Sequence, residues 1–280
     1  MKLNDFNDRH LGETVYILGC APSLNELTEK HLEALKDEVV IGVNFSHTKV
    51  KSLNYLVTGH LDSIAYMLEY GPPDTTVFAH KSGQTAYATE IWDNERVIPM
   101  WDLNLGPPLP RHADENSNIY GSCSILLSAT HLAYIMGASK IVYIGFEENS
   151  QLHFYNVDRA LENEIISNIE ELLESKKYWN PHNYSSSWQG VPSKLNVHAA
   201  LEVTLNKCSG APAYQPQFNR TVQDLISTPF GTTDGARERL NHFISFVRDL
   251  NNNGVETYTA AKEGITIKAN CKKGLLDELL

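Results

Sequence analysis

The chain has only four cysteines in 280 residues, Cys20, Cys123, Cys208 and Cys271, and none forms a Cys-x-x-Cys pair. A zinc site or a disulfide framework is therefore not expected, and reduced thiols in a cytoplasmic protein are the plain reading. Basic residues are scarce relative to acidic ones, 23 Lys and Arg against 34 Asp and Glu, for a formal net charge of −11. That balance excludes broad, unspecific attraction to nucleic acid or an anionic membrane, while a local basic groove stays open. Long apolar runs are missing too. The longest, Ile125 to Met136, is too short for a bilayer span and carries Ser128, Thr130 and His131, so no membrane span is expected. The opening residues, Met1 to Asp5, lack the basic-then-apolar order of a signal peptide.

Nucleotide signatures of the commonest kinds are missing as well. There is no Gly-x-x-x-x-Gly-Lys-Ser/Thr loop, which excludes a P-loop ATPase, and no Gly-x-Gly-x-x-Gly followed by an acidic strand end, which disfavours a redox dinucleotide. The histidines, among them His112, His131, His182 and His198, show no metal-ligand spacing.

What is present is an alternation of short β-branched runs with helical periodicity. Thr14–Leu18, Val39–Val43, Asn54–Thr58, Thr75–His80, Arg96–Trp101, Lys140–Ile144 and Val255–Thr259 read as strands. Val39-Val40-Ile41-Gly42-Val43 is apolar throughout, as expected of a strand covered on both faces. Helical spacing runs from Leu24 to Leu35, through Met67 and Leu68, from Ser122 to Met136 with Gly137 as its stop, from Asp158 to Trp179, and from a Thr232-Thr233-Asp234 cap to Leu250. This is an α/β pattern with a mostly parallel sheet flanked by helices. Residues 1–160 are expected to form the nucleotide-binding core, 161–231 a helical and irregular lid insertion for an acceptor, and 232–280 the closing helix-strand unit and tail.

The first strand gives way to Gly19-Cys20-Ala21-Pro22-Ser23. A glycine there permits a tight turn with exposed amides, Pro22 pre-sets the following turn, and a helix N-terminus attracts phosphate, so all five residues are expected to bind a nucleotide. The competing reading is a plain helix cap at Ser23. Asn44, ending the second strand, offers an amide able to donate and accept. Asp62, with His60 before it, is expected at the third strand's tip, where a carboxylate serves either as a base or as a helix cap. Glu147 or Glu148 reaches the same edge after Lys140–Ile144.

The order Gly19-Cys20-Ala21-Pro22-Ser23-Leu24, Gly42-Val43-Asn44, a strand ending near Asp62, Gly121-Ser122-Cys123-Ser124 opening an apolar helix, and Gly137 through Gly145 resembles the glycosyltransferase family 42 sialyltransferases and the related 6-hydroxymethylpterin diphosphokinase-like domain. The resemblance covers roughly residues 13 to 160 and the final helix-strand unit. It implies a Rossmann-like sheet, a variant of the GT-A arrangement, and transfer of a sugar from a CMP- or UDP-linked donor to an acceptor hydroxyl. It implies that Cys20 or Ala21, Asn44, and Ser122 with Gly121 attend the donor, and that Tyr155 helps the phosphate depart. Two departures stand out: the family's Asn after the first glycine is replaced by the pair Cys20-Ala21, and the stretch Ser227–Gly231 holds no His to serve as base.

Proton acceptance from a sugar hydroxyl then falls to Asp62, His60, Glu147, Glu148 or His153. No Asp-x-Asp is present to bridge a metal and a diphosphate, so no metal is assigned, with magnesium through Asp62 and a glutamate left open. The acceptor class also stays open between a glycan, a small molecule and a hydroxymethylated nucleobase, as does self-association. Two other readings compete: an ATP-dependent diphosphokinase acting on a hydroxymethylated heterocycle, and a catalytically silent nucleotide-binding partner.

Overall fold

The computed structural model describes residues 1–80, 89–102, 109–114, 118–120, 124–147, 153–175 and 234–280. Among the described residues, nine strands form one sheet: β1 (Thr14–Leu18), β2 (Val39–Val43), β3 (Tyr55–Thr58), β4 (Thr76–His80), β5 (Val97–Asp102), β6 (Asn118–Ile119), β7 (Lys140–Ile144), β8 (Glu256–Thr259) and β9 (Lys272–Lys273). Their spatial order is β6-β5-β4-β3-β2-β1-β7-β8-β9, and every pairing is parallel. The sheet is thus a Rossmann-like α/β sheet, as the strand-helix alternation predicts. The two-residue strands β6 and β9 are additions, too short to leave a periodic signal.

Side chains alternate between two cores because successive strand residues point to opposite faces. Val15, Ile17, Ile41, Val57, Ile141 and Tyr143 pack on one face with the central helix α4 (Ile125–Ile135) and with α7 (Asp234–Asn252) through Phe243, Phe246 and Leu250. Tyr16, Leu18, Val40, Leu56, Val142 and Ile144 pack on the other with α2 (Leu61–Tyr70) and α6 (Arg159–Ser175) through Ile64, Met67, Ile165 and Ile169. Each of these side chains is removed from water on both sides of the sheet, which stabilises it by roughly 1.5–3 kcal/mol relative to exposure.

The helix α4 is buried from Leu126 to Ile135. It ends as the sequence predicts at Gly137, whose positive φ lets its N–H reach the Tyr134 carbonyl at 3.1 Å while Ala138 N–H reaches Ala133 O at 3.1 Å. Those paired bonds satisfy carbonyls that a helix end leaves open.

The predicted helix from Leu24 to Leu35 is not continuous. A single 3-10 turn, Pro22–Glu26, is followed by α1 (Glu29–Ala34) and another 3-10 turn, Leu35–Asp37. The break falls where Thr28 caps α1: its Oγ1 accepts from His31 N–H at 3.4 Å, and His31 Nδ1 accepts from Thr28 N–H at 3.2 Å. The reciprocal cap outweighs the apolar spacing that runs through it. Further on, α6 packs into the core, so 161–175 is continuous with it, whereas 176–233 lies outside the described residues. Among the described residues, no helix is long and apolar enough to cross a membrane.

Candidate functional site at the strand switch

From β1 the chain adds β2 to β6 on one side and then returns to place β7, β8 and β9 on the other. The reversal falls between β1 and β7, and in open parallel sheets ligands bind outside the carboxyl ends of the strands at such a point. Leu18 pairs with Ile144, so Gly19 directly abuts Gly145. A Cβ on Gly19 would lie 2.0 Å from the Gly145 carbonyl oxygen, and Gly145 itself has φ +79°. Glycine at both positions lets the two loops cross in contact.

That contact consumes donors expected to face phosphate. Gly19 N–H donates to Ile144 O at 2.8 Å and Ala21 N–H to Gly145 O at 3.0 Å, while Pro22 has no N–H to offer. The helix dipole expected behind them is also small, since only the 3-10 turn Pro22–Glu26 follows. Ser23 Oγ donates to the Glu147 carboxylate. Burial raises the pKa of Glu147; hydrogen bonds from the Ser23 hydroxyl and from the main-chain N–H groups of Glu147 and Ser23 pull it back, and nearby Glu26 raises it again. The expectation that Gly19 to Ser23 present open amides is thereby corrected: the cradle holds a carboxylate supplied by the protein.

Cys20 also faces inward. Its Sγ lies 3.2 Å from Val43 O, and main-chain N–H groups of Phe45 and Ser46 point at the sulfur. Burial pushes the thiol up to about 12, so it stays protonated and acts as a tie between the tips of β1 and β2. The Cys20 side chain, named as a nucleotide-binding candidate, is thus turned into the protein.

At the tip of β2, Asn44 adopts a left-handed conformation with φ +48°. Its Oδ1 accepts from Thr58 Oγ1 at 2.9 Å, and its carbonyl accepts from His47 Nδ1 at 2.8 Å. Asn44 is half-buried between the fully enclosed Val43 and Phe45, so at this tip it is the residue water reaches. Burial holds the His47 pKa down to about 3, so the ring is neutral; Lys51 lowers it further, while the Asn44 carbonyl and Asp62 oppose the shift.

Asp62 and Tyr155 depart from expectation. Both are 0% exposed. Asp62 is in the first turn of α2 and its Oδ1 accepts from Ser63 N–H at 2.8 Å, which is the local helix-start role rather than a base open to an acceptor. The Tyr155 ring packs against Phe45, Phe154 and His153 with centroids 5.9, 5.1 and 5.2 Å away, inside the core rather than at its surface. His60 caps α2 and is half-buried, with its N–H on Thr58 Oγ1 at 3.1 Å. His153 is half-buried beside Tyr155.

Gly121, Ser122 and Glu148 lie outside the described residues. The structure adds His80, at the end of β4, whose Nε2 meets Ser128 Oγ of α4 at 2.7 Å. It also adds Thr58 and His47 as the partners of Asn44. Strand register is the signal that finds Thr58, because Val43 pairs with Val57 and the next residue on each strand is Asn44 and Thr58. Among the described residues, no three His, Cys, Asp or Glu side chains converge as a metal site.

Fold and site together define a Rossmann-like α/β protein with polar side chains at the carboxyl edge of its β1/β7 switch. No protein-family model matches the chain, and no curated protein matches it in sequence.

Proposed function

We propose that the chain is a nucleotide-sugar-dependent glycosyltransferase whose acceptor hydroxyl is deprotonated by Glu147. The observation that carries this reading is a half-buried carboxylate with a raised pKa at the strand switch, on the same carboxyl edge of the sheet as Asn44. Acceptor activation needs a group that takes up a proton, and burial makes Glu147 hold one more readily than a free carboxylate. In the reaction, the acceptor proton passes to Glu147, the acceptor oxygen bonds to the anomeric carbon, and the bond from that carbon to the phosphate oxygen breaks with its electron pair leaving on the nucleotide. Asn44 contacts the donor, and Gly121 and Ser122, which precede α4 in the sequence, remain the candidates for its phosphates. Glu147 replaces Asp62 as first candidate for the base because Asp62 is enclosed.

Calorimetric titration with CMP, UDP and their sugar conjugates tests the binding half. Saturable binding of one conjugate is expected, and absence of binding to all of them at millimolar concentration overturns the reading. Glu147→Gln is expected to keep donor binding and to lower transfer by roughly 10²- to 10⁴-fold, the usual contribution of a general base.

A second reading is favoured by the filled cradle: a partner protein that retains the fold without turning substrate over. Binding without transfer to any acceptor class, with Glu147→Gln indistinguishable from the parent, would select it.

A further inference from the structure

Three non-glycine residues have a left-handed backbone among the described residues: Asp8, Asn44 and Asn270. Asp8 is clamped through its side chain by Arg111 at 2.6 Å and His112 at 2.8 Å, and Asn270 follows a helix end, where that conformation is common. Asn44 is neither paired with a charged side chain nor placed after a helix end. It follows a central strand at the ligand-binding edge, and residues held in sparsely populated backbone regions concentrate at such places because the surrounding structure over-determines them.

The surrounding structure does so here through two contacts. His47 is buried and neutral, so its Nδ1–H donates to the Asn44 carbonyl and fixes the backbone. Thr58 Oγ1 accepts the N–H of His60 at 3.1 Å, which leaves its single proton for Asn44 Oδ1 at 2.9 Å. Were the Asn44 amide turned over, that proton would face an NH2 group, so the hydroxyl selects one orientation. Among the described residues, the Asn44 Nδ2 is then the group of this side chain left over.

We infer that Thr58 and His47 are positioning residues that lock Asn44 as a donor, so that the ligand atom meeting it must be an acceptor, best an oxygen carrying no hydrogen. This deepens the proposed function and rests on it for the ligand. The chemistry fits two sources within one nucleotide, a pyrimidine carbonyl or a phosphate oxygen. Uridine, inorganic pyrophosphate and UDP separate them as probes.

The test uses the whole chain with Thr58→Val, which removes the hydroxyl at nearly constant shape, and Thr58→Ser, which restores it. Thermal unfolding first establishes that each variant is folded, and Thr58→Ala takes the place of Thr58→Val if the latter is not. Calorimetry should show UDP binding about five- to ten-fold weaker in Thr58→Val and near the parent in Thr58→Ser, the loss expected when one hydrogen bond is misdirected. The same loss with uridine but not pyrophosphate identifies the base as the source, and the converse identifies the phosphate. Equal UDP affinity in parent and Thr58→Val overturns the inference while leaving the glycosyltransferase reading intact. Should the parent bind no probe, the lock is judged separately from the ¹⁵N relaxation order parameter of the Asn44 side-chain amide. A value high in the parent and Thr58→Ser and lowered in Thr58→Val supports it; an unchanged value in Thr58→Val overturns it.

Discussion

The two edges of the same parallel sheet treat their polar groups differently. At the amino edge nearly every one is answered. Arg111 bridges Asp8 and the Ile135 carbonyl while lying over the Tyr134 ring, and Asn7 and Ala113 exchange hydrogen bonds at 3.2 and 2.8 Å. Asn54 Oδ1 takes the Val40 N–H, Thr75 donates to Leu53 O, and Arg96 caps the Thr75 and Pro72 carbonyls. Asn4 Oδ1 is the buried exception. At the carboxyl edge, Ser46 Oγ, His47 Nε2 and Ser63 Oγ are buried without a hydrogen-bond partner among the described residues, Asn44 is left-handed, and Glu147 has a raised pKa. Unanswered buried groups cost about 1–3 kcal/mol each. Among the described residues, more of that cost falls on the carboxyl edge, the side on which open parallel sheets bind ligands, than on the amino edge.

This contrast can be broken at several points. The largest effect is expected for Gly19→Ala, whose Cβ would overlap the Gly145 carbonyl; unfolding free energy from denaturant titration should drop by about 3 kcal/mol or more, since backbone rather than a flexible side chain must give way.

Next comes acid. His47 has a folded pKa lowered to about 3 from an unfolded 6.5, so the unfolded chain binds the extra proton. Its contribution to stability is fully present above pH 6.5 and is lost as pH falls from there toward 3, on the order of 3 kcal/mol by pH 4. Denaturant midpoints measured from pH 7 to pH 4 should fall less steeply in His47→Gln than in the parent; parallel slopes would show that the ring is not enclosed.

Removal of the amino-edge clamp is a smaller perturbation. Arg111→Met should cost about 1–2 kcal/mol, because the Asp8 pair is partly exposed and screened while the Ile135 carbonyl bond is more sheltered. Nucleotide affinity should not change, and a change would mean that the two edges are coupled. The smallest stability effect belongs to Glu147→Gln. Because burial raises the Glu147 pKa, the ionised side chain opposes folding once pH rises through the folded value, so this variant should gain less than about 1 kcal/mol over the parent at pH 8 and nothing at pH 4. Midpoints at the two pH values check the sign.

Much of the fold was legible in the residues. Thr14–Leu18, Val39–Val43 and Lys140–Ile144 match their predicted bounds because β-branched runs ended by Gly19, Asn44 and Gly145 leave little choice, and Gly137 stops α4 because left-handed backbone there suits glycine. The site was legible as a set of strand tips. Its internal assignments were not: that Cys20 binds Val43 O, that Glu147 takes the Ser23 hydroxyl, and that Asp62 and Tyr155 are enclosed all depend on residues far away in the chain.

Local physics therefore determined, from sequence alone, where the strands lie, where they end and that their polar residues gather at one edge. Only the tertiary structure decided which of those residues face water. Hydrogen-bond partners such as Ser23 and Glu147 are 124 positions apart, and their meeting is set by strand order and register, which no periodicity within a short window encodes.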